Sequence, residues 1–300
     1  MGKGSYAPSN VPEEEDGHPG AGSHYVVGRA HPSVAKAVQL VHDREFAALL
    51  VRVQGWIKTP DHFYLIEDLS SEHVPLSDLS TPLSNIGFVR KILDQLVSVV
   101  RDGLHRDGRV CHRDLKAENI LINDHGDLVL LDLGLATRFA ASAPKLTTCC
   151  GSPAFHSPEI VQCLNNPPGV YRYYGPELDI WCIGLTMLAL LTGRRYPIGT
   201  SHTHLEVMAH NVKECLQEVD HIHERLRGLP CSSAGNEIDI MQAQDDWDIV
   251  RDAVEEFLLV DGNARILAFE RYQLDECIQK HVACHKAKME KLRCESPQQV

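Results

Sequence analysis

The residues most able to do chemistry lie in two short polar segments on either side of a predicted β-hairpin. The first segment contains Asp114, Lys116 and Asn119, and the second begins at Asp132. Carboxylate and amide oxygens are ligands that Mg²⁺ prefers, so Asn119 and Asp132 are candidate metal ligands. Asp114 is placed to orient an attacking hydroxyl and accept its proton, and Lys116 to meet a transferred phosphate. This set is typical of phosphoryl transfer, in which a protein mainly positions the reactants and neutralises charge.

Apolar spacing predicts the elements that position these side chains. Short apolar runs at 120–122 and 128–131 flank a turn-forming linker and predict the hairpin. Apolar residues recur at helical spacing from Val89 to Leu104, which predicts a long helix ending near Gly108. The segment 179–191 is apolar on nearly every face and predicts a core helix. Shorter runs between 25 and 66 predict strands, so we expect an α+β protein with a small strand-rich lobe and a larger helical lobe.

Two motifs resemble those of eukaryotic protein kinases. The run from His112 to Asn119 is similar to their catalytic loop, in the form with a lysine at 116 that serine/threonine kinases carry. Asp132-Leu133-Gly134 resembles their metal-binding motif, with leucine in place of phenylalanine. The resemblance implies a two-lobed protein-kinase-like fold with a reduced N-lobe. It also implies Mg²⁺-dependent transfer of the γ-phosphate of ATP to Ser or Thr hydroxyls of protein substrates.

The segment 151–159 resembles the end of a kinase activation loop, with Ser157 replacing the usual alanine. By that resemblance Ser152 should bond toward Asp114 and help to seat the substrate. Glu159 should pair with Arg265. Asp179, at the start of the predicted core helix, should accept bonds from the backbone of the catalytic loop.

Thr148 lies where many such kinases carry an activating phosphate, added by an upstream kinase. Arg113 is the expected partner of that phosphate. The alternative is that Thr148 is an exposed loop threonine without a regulatory role.

The N-terminal part resembles the family less closely. Gly20 and Gly22 match the first two glycines of the phosphate-binding loop, but Tyr25 stands in place of the third, and a glycine-rich tail would give the same match. Lys36 resembles the lysine that binds the α- and β-phosphates, and Glu45 the carboxylate that orients it. These two residues are only nine positions apart, so two unrelated surface charges are the alternative.

The hinge between the lobes is predicted at residues 67–69, where the backbone of Glu67 and Leu69 would bind adenine. The expected domain limits are a disordered tail at 1–22, a kinase-like domain at 23–287 with lobes 23–68 and 69–287, and a C-terminal tail at 288–300. The weak N-lobe motifs leave a pseudokinase scaffold as an alternative. A small-molecule phosphotransferase is a third alternative, which the activation segment disfavours.

Composition excludes several classes of function. The 300 residues carry 41 acidic and 29 basic side chains, a net charge of −12 that argues against a nucleic-acid partner. The ten cysteines are scattered and no secretory core precedes them, which favours reduced, intracellular thiols in the cytoplasm or nucleus. The longest apolar stretch, 180–191, is too short to cross a bilayer, so no membrane partner is expected.

Overall fold

The structure is a computed structural model. It describes residues 23–29, 52–58, 63–70, 73–79, 86–123, 126–140, 142, 146–200, 203–227 and 237–274. For the strands between 23 and 70, and for residues 107, 226–227 and 237–242, the backbone alone is described. The expected tails at 1–22 and 288–300 lie outside the described residues.

Helices predominate over strands in the described residues, and the fold is of the α+β class. The strands are β1 Ser23–Arg29, β2 Arg52–Lys58, β3 Phe63–Ser70, β4 Val74–Pro75, β5 Val110–Cys111, β6 Ile120–Ile122, β7 Leu128–Leu130 and β8 Thr137–Arg138. The α-helices are α1 Ile86–Val97, α2 Pro158–Asn165, α3 Pro176–Thr192, α4 Leu205–Arg227, α5 Glu237–Phe257 and α6 Gly262–Arg271.

The N-terminal strands form a three-stranded antiparallel sheet with β3 in the centre, between β1 and β2. Glu67 lies opposite Val26 of β1 and Val53 of β2, and Leu69 lies opposite His24. The residues predicted to form the hinge, 67–69, therefore lie in β3, and adenine binding by the backbone of Glu67 and Leu69 stays a prediction. The predicted lobe boundary at 68/69 also falls inside β3, which extends to Ser70.

The predicted hairpin is present as β6 and β7, with Ile120 opposite Leu130 and Ile122 opposite Leu128. Gln95 of α1 holds its turn: its amide nitrogen donates to the Gly126 carbonyl oxygen at 2.7 Å and its amide oxygen accepts from the Leu128 backbone N–H at 3.1 Å. The amphipathic face of α1 therefore fixes the hairpin whose ends carry the polar segments.

The predicted long helix begins at Ile86, but its second half differs from a regular α-helix. After Val97 the turns widen into a π-helical segment, Ser98–Gly108, which ends at Arg109 with a left-handed backbone (φ 53°). Val99, Val100 and Leu104 in this segment are fully buried. The helix end near Gly108 is as predicted.

Helix α3 is the predicted core helix and begins at Pro176. It packs against α1, α4, α5 and α6, and all but two of its residues are buried. At Gly184 an added Cβ would lie 2.8 Å from side-chain atoms of Leu258, so glycine permits the close approach of the segment after α5. Helical periodicity in the sequence predicts a further helix from Trp247 to Leu259, and helix α5 begins ten residues before that predicted start. No helix of the described residues is long and apolar enough to cross a membrane.

Candidate active site

The Asp114 carboxylate is the centre of a hydrogen-bonded cluster. One oxygen, Oδ1, accepts from the Ser152 backbone N–H at 2.9 Å and from the Ser152 hydroxyl at 2.8 Å. The other, Oδ2, accepts from Lys116 Nζ at 2.8 Å and from the Asn119 side-chain amide at 3.3 Å. Lys116 Nζ also lies 2.7 Å from the Ser152 hydroxyl. The cluster fixes the orientation of a carboxylate that is mostly buried.

A buried carboxylate on α3 holds the backbone of the loop that carries Asp114. Asp179 accepts from the backbone N–H groups of His112 and Arg113, each at 2.8 Å. Its Oδ2 is also 2.8 Å from His105 Nε2, and Asp179 is inaccessible to solvent. These bonds stabilise the tight turn in which Arg113 has a left-handed backbone (φ 70°). The partner His105 was not singled out from the sequence.

The two candidate metal ligands lie at neighbouring ends of the hairpin. The Leu131 backbone N–H donates to the Asn119 carbonyl oxygen at 2.8 Å, so Asp132, the next residue, follows directly beside Asn119. Asn119 uses its side-chain nitrogen to donate to the Asp114 carbonyl oxygen at 2.9 Å. Asp132 has a left-handed backbone (φ 59°) and its Oδ1 accepts from the Gly134 backbone N–H.

This donor set fits Mg²⁺, which binds one or two carboxylates and takes its other ligands from phosphate and water. The amide oxygen of Asn119 and the carboxylate of Asp132 are hard oxygen donors. Their backbones are neighbours across the hairpin, because Leu131, which precedes Asp132, is hydrogen-bonded to Asn119. Among the described residues, no group of three or more His, Cys, Asp or Glu side chains could hold a metal ion by itself. The set therefore suits a metal that arrives with a nucleotide better than a structural zinc ion.

The segment that supplies Ser152 approaches the catalytic loop through a glycine. Gly151 has a backbone φ of 94°, and an added Cβ would lie 2.7 Å from the Arg113 carbonyl oxygen. A side chain at 151 would therefore both strain the backbone and displace the two segments from each other. The close contact brings the Ser152 hydroxyl to Asp114.

The same segment is held at its other end by a buried ion pair. Arg265 of α6 lies 2.5 Å from Glu159 of α2, with its guanidinium inaccessible to solvent. Arg265 also donates to the Glu177 and Val260 carbonyl oxygens, each at 3.2 Å, and its guanidinium stacks on the Trp181 ring. The remaining donors are satisfied, so the charge is buried at much lower cost than an unpaired one.

Tyr173 connects Thr148 with Arg113. Its hydroxyl donates to the Thr148 carbonyl oxygen at 2.7 Å and accepts from the Arg113 guanidinium at 3.4 Å. Arg113 also donates to the Leu135 carbonyl oxygen at 2.7 Å. Burial raises the pKa of Tyr173. The sequence did not single out Tyr173, because its partners are 25 and 60 positions away and no local motif marks it.

A cleft of about 170 Å³ opens beside the catalytic loop. Its lining includes two acidic and two basic side chains, Asp78, Glu118, Arg194 and Arg195. Arg195 pairs with Glu118 at 2.8 Å, and this exposed pair contributes little stability.

The N-terminal candidates are only partly covered by the structure. Gly20, Gly22, Lys36 and Glu45 lie outside the described residues. In the described part of this region, strand β1 ends at Arg29, which lies opposite Tyr64 of β3.

Arg29 is a second candidate for the cation that binds the nucleotide phosphates. The sequence Val26-Val27-Gly28-Arg29 has apolar branched residues before a basic one, as Val34-Ala35-Lys36 does. Arg29 precedes Glu45 by 16 positions, whereas Lys36 precedes it by nine.

The fold and the site together define a phosphotransferase-like catalytic domain, and comparison with known proteins gives its family. The family model "Protein kinase domain" matches residues 30–275. The chain therefore belongs to the protein kinase domain family.

The chain is similar to several curated kinases, two of which are named as probable serine/threonine-protein kinases. It is 34% identical over 149 residues to a probable serine/threonine-protein kinase KIN1 homolog of Encephalitozoon cuniculi, covering 48% of this chain and 24% of that protein. It is 29% identical over 225 residues to the corresponding protein of Enterocytozoon bieneusi, covering 72% and 35%. Over 106 residues it is 40% identical to the human hormonally up-regulated neu tumor-associated kinase, covering 35% and 13%. The matched part thus spans about a third or less of these relatives.

Proposed function

We propose that the protein transfers the γ-phosphoryl group of ATP to serine or threonine hydroxyls of protein substrates. Asp114 orients the acceptor hydroxyl and takes up its proton. Lys116 neutralises charge on the transferred group, and Ser152 keeps both side chains in position. Membership of the protein kinase domain family and similarity to serine/threonine kinases support this activity.

The observation that carries the proposal is the three-way contact of Asp114, Lys116 and Ser152. Their polar atoms lie 2.7–2.9 Å apart, although the residues come from two segments separated by more than 30 positions. A cation held between a carboxylate and a hydroxyl meets the main requirement of phosphoryl transfer, which is positioning with charge neutralisation.

We assign the metal to Asn119 and Asp132 on the basis of their donor atoms. When bound, Mg²⁺–ATP supplies the phosphoryl group and shields the charge of the phosphates. The chain's own part would be to supply these two oxygen donors at the ends of the hairpin, next to the Asp114 cluster. Lys36 with Glu45, or Arg29, would hold the nucleotide phosphates, and Leu69 would contact the adenine.

Regulation and location complete the proposal. A phosphate added to Thr148 by an upstream kinase would lie near Arg113, which would exchange its bond with Tyr173 for stronger bonds to the phosphate.

The six described cysteines are free thiols, which favours the reducing cytoplasm or nucleus.

Phosphate transfer to peptides tests the proposal. The full chain, radiolabelled ATP and Mg²⁺ are incubated with matched peptides that differ only in carrying serine, threonine or tyrosine as acceptor. We expect labelling of the serine and threonine peptides, and a loss on the order of 10²–10⁴-fold in Asp114→Asn. Asp220→Asn is the matched control, since Asp220 only pairs with Arg251 away from the site.

The pseudokinase alternative gives a different result. A wild-type chain that is folded and binds partners, but labels no peptide above the Asp114→Asn background, would be a scaffold. Labelling confined to the tyrosine peptide would contradict the proposed acceptor class.

A further inference from the structure

A cavity of about 370 Å³ lies between the end of the π-helical segment, the chain after β8, the start of α3 and helix α6. Its volume is within the range of small-molecule sites in proteins. Its lining includes neither the residues of the Asp114 cluster nor the two candidate metal ligands. The phosphotransfer chemistry therefore does not account for this cavity.

The deep part of the cavity is apolar and aromatic. Its buried side chains are His105, Pro176, Ile180 and Phe269. The His105 ring is nearly perpendicular to the Phe139 ring, with ring centres 5.9 Å apart, and its centre is 6.1 Å from that of Phe269. Aromatic walls of this kind favour a ligand with a flat apolar body, which can pack on the faces and edges of the rings.

The mouth of the cavity carries two arginines and one glutamate, all exposed: Arg106, Arg109 and Glu270. Arg106 is already paired with Glu270 and with Asp102. The Arg109 guanidinium has no hydrogen-bond or ion-pair partner among the residues that the structure describes. One available guanidinium beside an apolar cavity favours a ligand with a single negative charge, and the nearby Glu270 disfavours a second one.

Contacts within the protein hold the walls of the cavity in place. His105 Nε2 lies 2.8 Å from the buried carboxylate of Asp179. On the α6 side, Arg101 donates to the Phe269 carbonyl oxygen at 3.4 Å and to the Tyr272 carbonyl oxygen at 2.6 Å. A preformed cavity loses little conformational entropy when a ligand binds, so more of the contact energy is available for affinity.

We propose that this cavity binds a small monocarboxylate with a flat, apolar body. The apolar body packs among the aromatic side chains, and the carboxylate accepts hydrogen bonds from Arg109, whose guanidinium presents two parallel donors. The ligand contacts His105, and the partner of His105 is the Asp179 carboxylate that holds the backbone of the catalytic loop. The site is nevertheless separate from the Asp114 cluster.

Isothermal titration of the full chain tests the proposal. The probe is biphenyl-4-carboxylate, and biphenyl-4-carboxamide has nearly the same shape without the charge. We expect saturable one-to-one binding of the carboxylate with a Kd below about 1 mM, and binding of the amide that is at least about tenfold weaker. Excess Mg²⁺–ATP should leave the affinity unchanged, and Asp114→Asn should bind the probe as the wild type does. The result is therefore independent of the proposed phosphotransfer.

Variants locate the site. Arg109→Gln should weaken carboxylate binding about tenfold, to near the affinity of the amide. The matched control is Arg138→Gln, which removes an exposed arginine of β8 that does not line the cavity. Ile266→Trp on α6 should fill the cavity and abolish binding, with the melting temperature as the check of folding. Bound probe should also slow amide exchange in residues 105–109 and 263–270.

The outcomes that would overturn the proposal are distinct. Equal affinities for the carboxylate and the amide would contradict the proposed ligand class. Equal binding by Arg109→Gln and Arg138→Gln would contradict the role of Arg109, and this test stands even if Ile266→Trp does not fold. Unchanged binding in a folded Ile266→Trp, competition by Mg²⁺–ATP, or no saturable binding below about 1 mM would contradict the site itself.

Discussion

At the scale of residues, the site depends on the hydrogen bonds that hold the two carboxylate oxygens of Asp114. Four donors from three residues surround its two oxygens. A carboxylate bound in this way cannot rotate freely, so its orientation is set before a substrate arrives. The chemistry of the site therefore rests on Ser152 as much as on the two charged residues.

We predict that Ser152→Ala lowers kcat/KM for peptide phosphorylation by about 10²-fold, because loss of the hydroxyl frees both Asp114 and Lys116 to move. Ser152→Thr keeps the hydroxyl and should retain most of the activity. Ser142→Ala is the control, since Ser142 is exposed in a turn. Equal activity of Ser152→Ala and Ser142→Ala would show that the hydroxyl does not position the site.

His156 is expected to make the stability of the folded protein depend on pH. Burial lowers the pKa of His156 from 6.5, although its ring bonds with the Gly151 carbonyl oxygen. A histidine with a lowered folded pKa binds fewer protons in the folded state than in the unfolded state. Its contribution to stability is complete above pH 6.5 and is lost as the pH falls toward the folded pKa.

We therefore predict that the melting temperature of the wild type falls more between pH 7.5 and pH 5 than that of His156→Gln, which cannot ionise. Differential scanning calorimetry of both proteins at the two pH values measures the difference. A smaller decrease in the wild type would contradict a lowered pKa for the partly buried His156 ring.

At the scale of elements, the site is assembled by a few connections between helices and loops. Gln95 of α1 grips the hairpin, Asp179 of α3 holds the catalytic loop, and Arg265 of α6 holds α2. The first two are buried polar contacts between a helix and a turn or loop, and the third joins two helices. The positions of the segments that carry the chemistry therefore depend on these three side chains.

We predict that Arg265→Met destabilises the protein by about 3–5 kcal/mol, because Glu159 is left buried without a partner. Denaturant unfolding measures the change. The double variant Glu159→Gln with Arg265→Met removes both charges and should recover part of the loss, so a double-mutant cycle isolates the pair. Additive effects of the two single changes would contradict an ion pair that acts as a unit.

The N-terminal sheet leaves two candidates for the cation that binds the nucleotide phosphates. If the end of β1 supplies that cation, Arg29→Ala weakens ATP binding by at least about tenfold, which corresponds to about 1.4 kcal/mol, and Lys36→Ala has little effect. Isothermal titration with Mg²⁺–ATP measures both variants, with Arg52→Ala on β2, at the other edge of the sheet, as control. A larger loss of ATP affinity in Lys36→Ala than in Arg29→Ala would instead assign the phosphate-binding cation to Lys36.

At the scale of the whole molecule, the helical part organises the site around α3. Helices α1, α4, α5 and α6 pack on this helix, whose buried face carries Asp179. An almost wholly apolar helix can be stable only in the middle of a core, which is why composition alone predicted its place. The catalytic loop is thereby attached to the most buried element of the fold.

The hairpin, α3 and the polar cluster could be predicted because their signals are local. Branched apolar runs beside a turn, and a dense motif from His112 to Asn119, need no knowledge of distant partners. The π-helical turns after Val97 and the early start of α5 leave no such signal, since both depend on packing. Tyr173 and the pairing of β1 with β3 involve residues far apart in sequence, so they emerge only from the fold.

The comparison of Asp114→Asn with Asp132→Asn tests the central claim most directly. Both variants are assayed for Mg²⁺–ATP binding by thermal shift and for phosphate transfer to a serine peptide. We predict that Asp114→Asn keeps the nucleotide-induced shift and loses transfer by a factor on the order of 10² or more, whereas Asp132→Asn loses both. Transfer by Asp114→Asn at the wild-type rate would contradict the account.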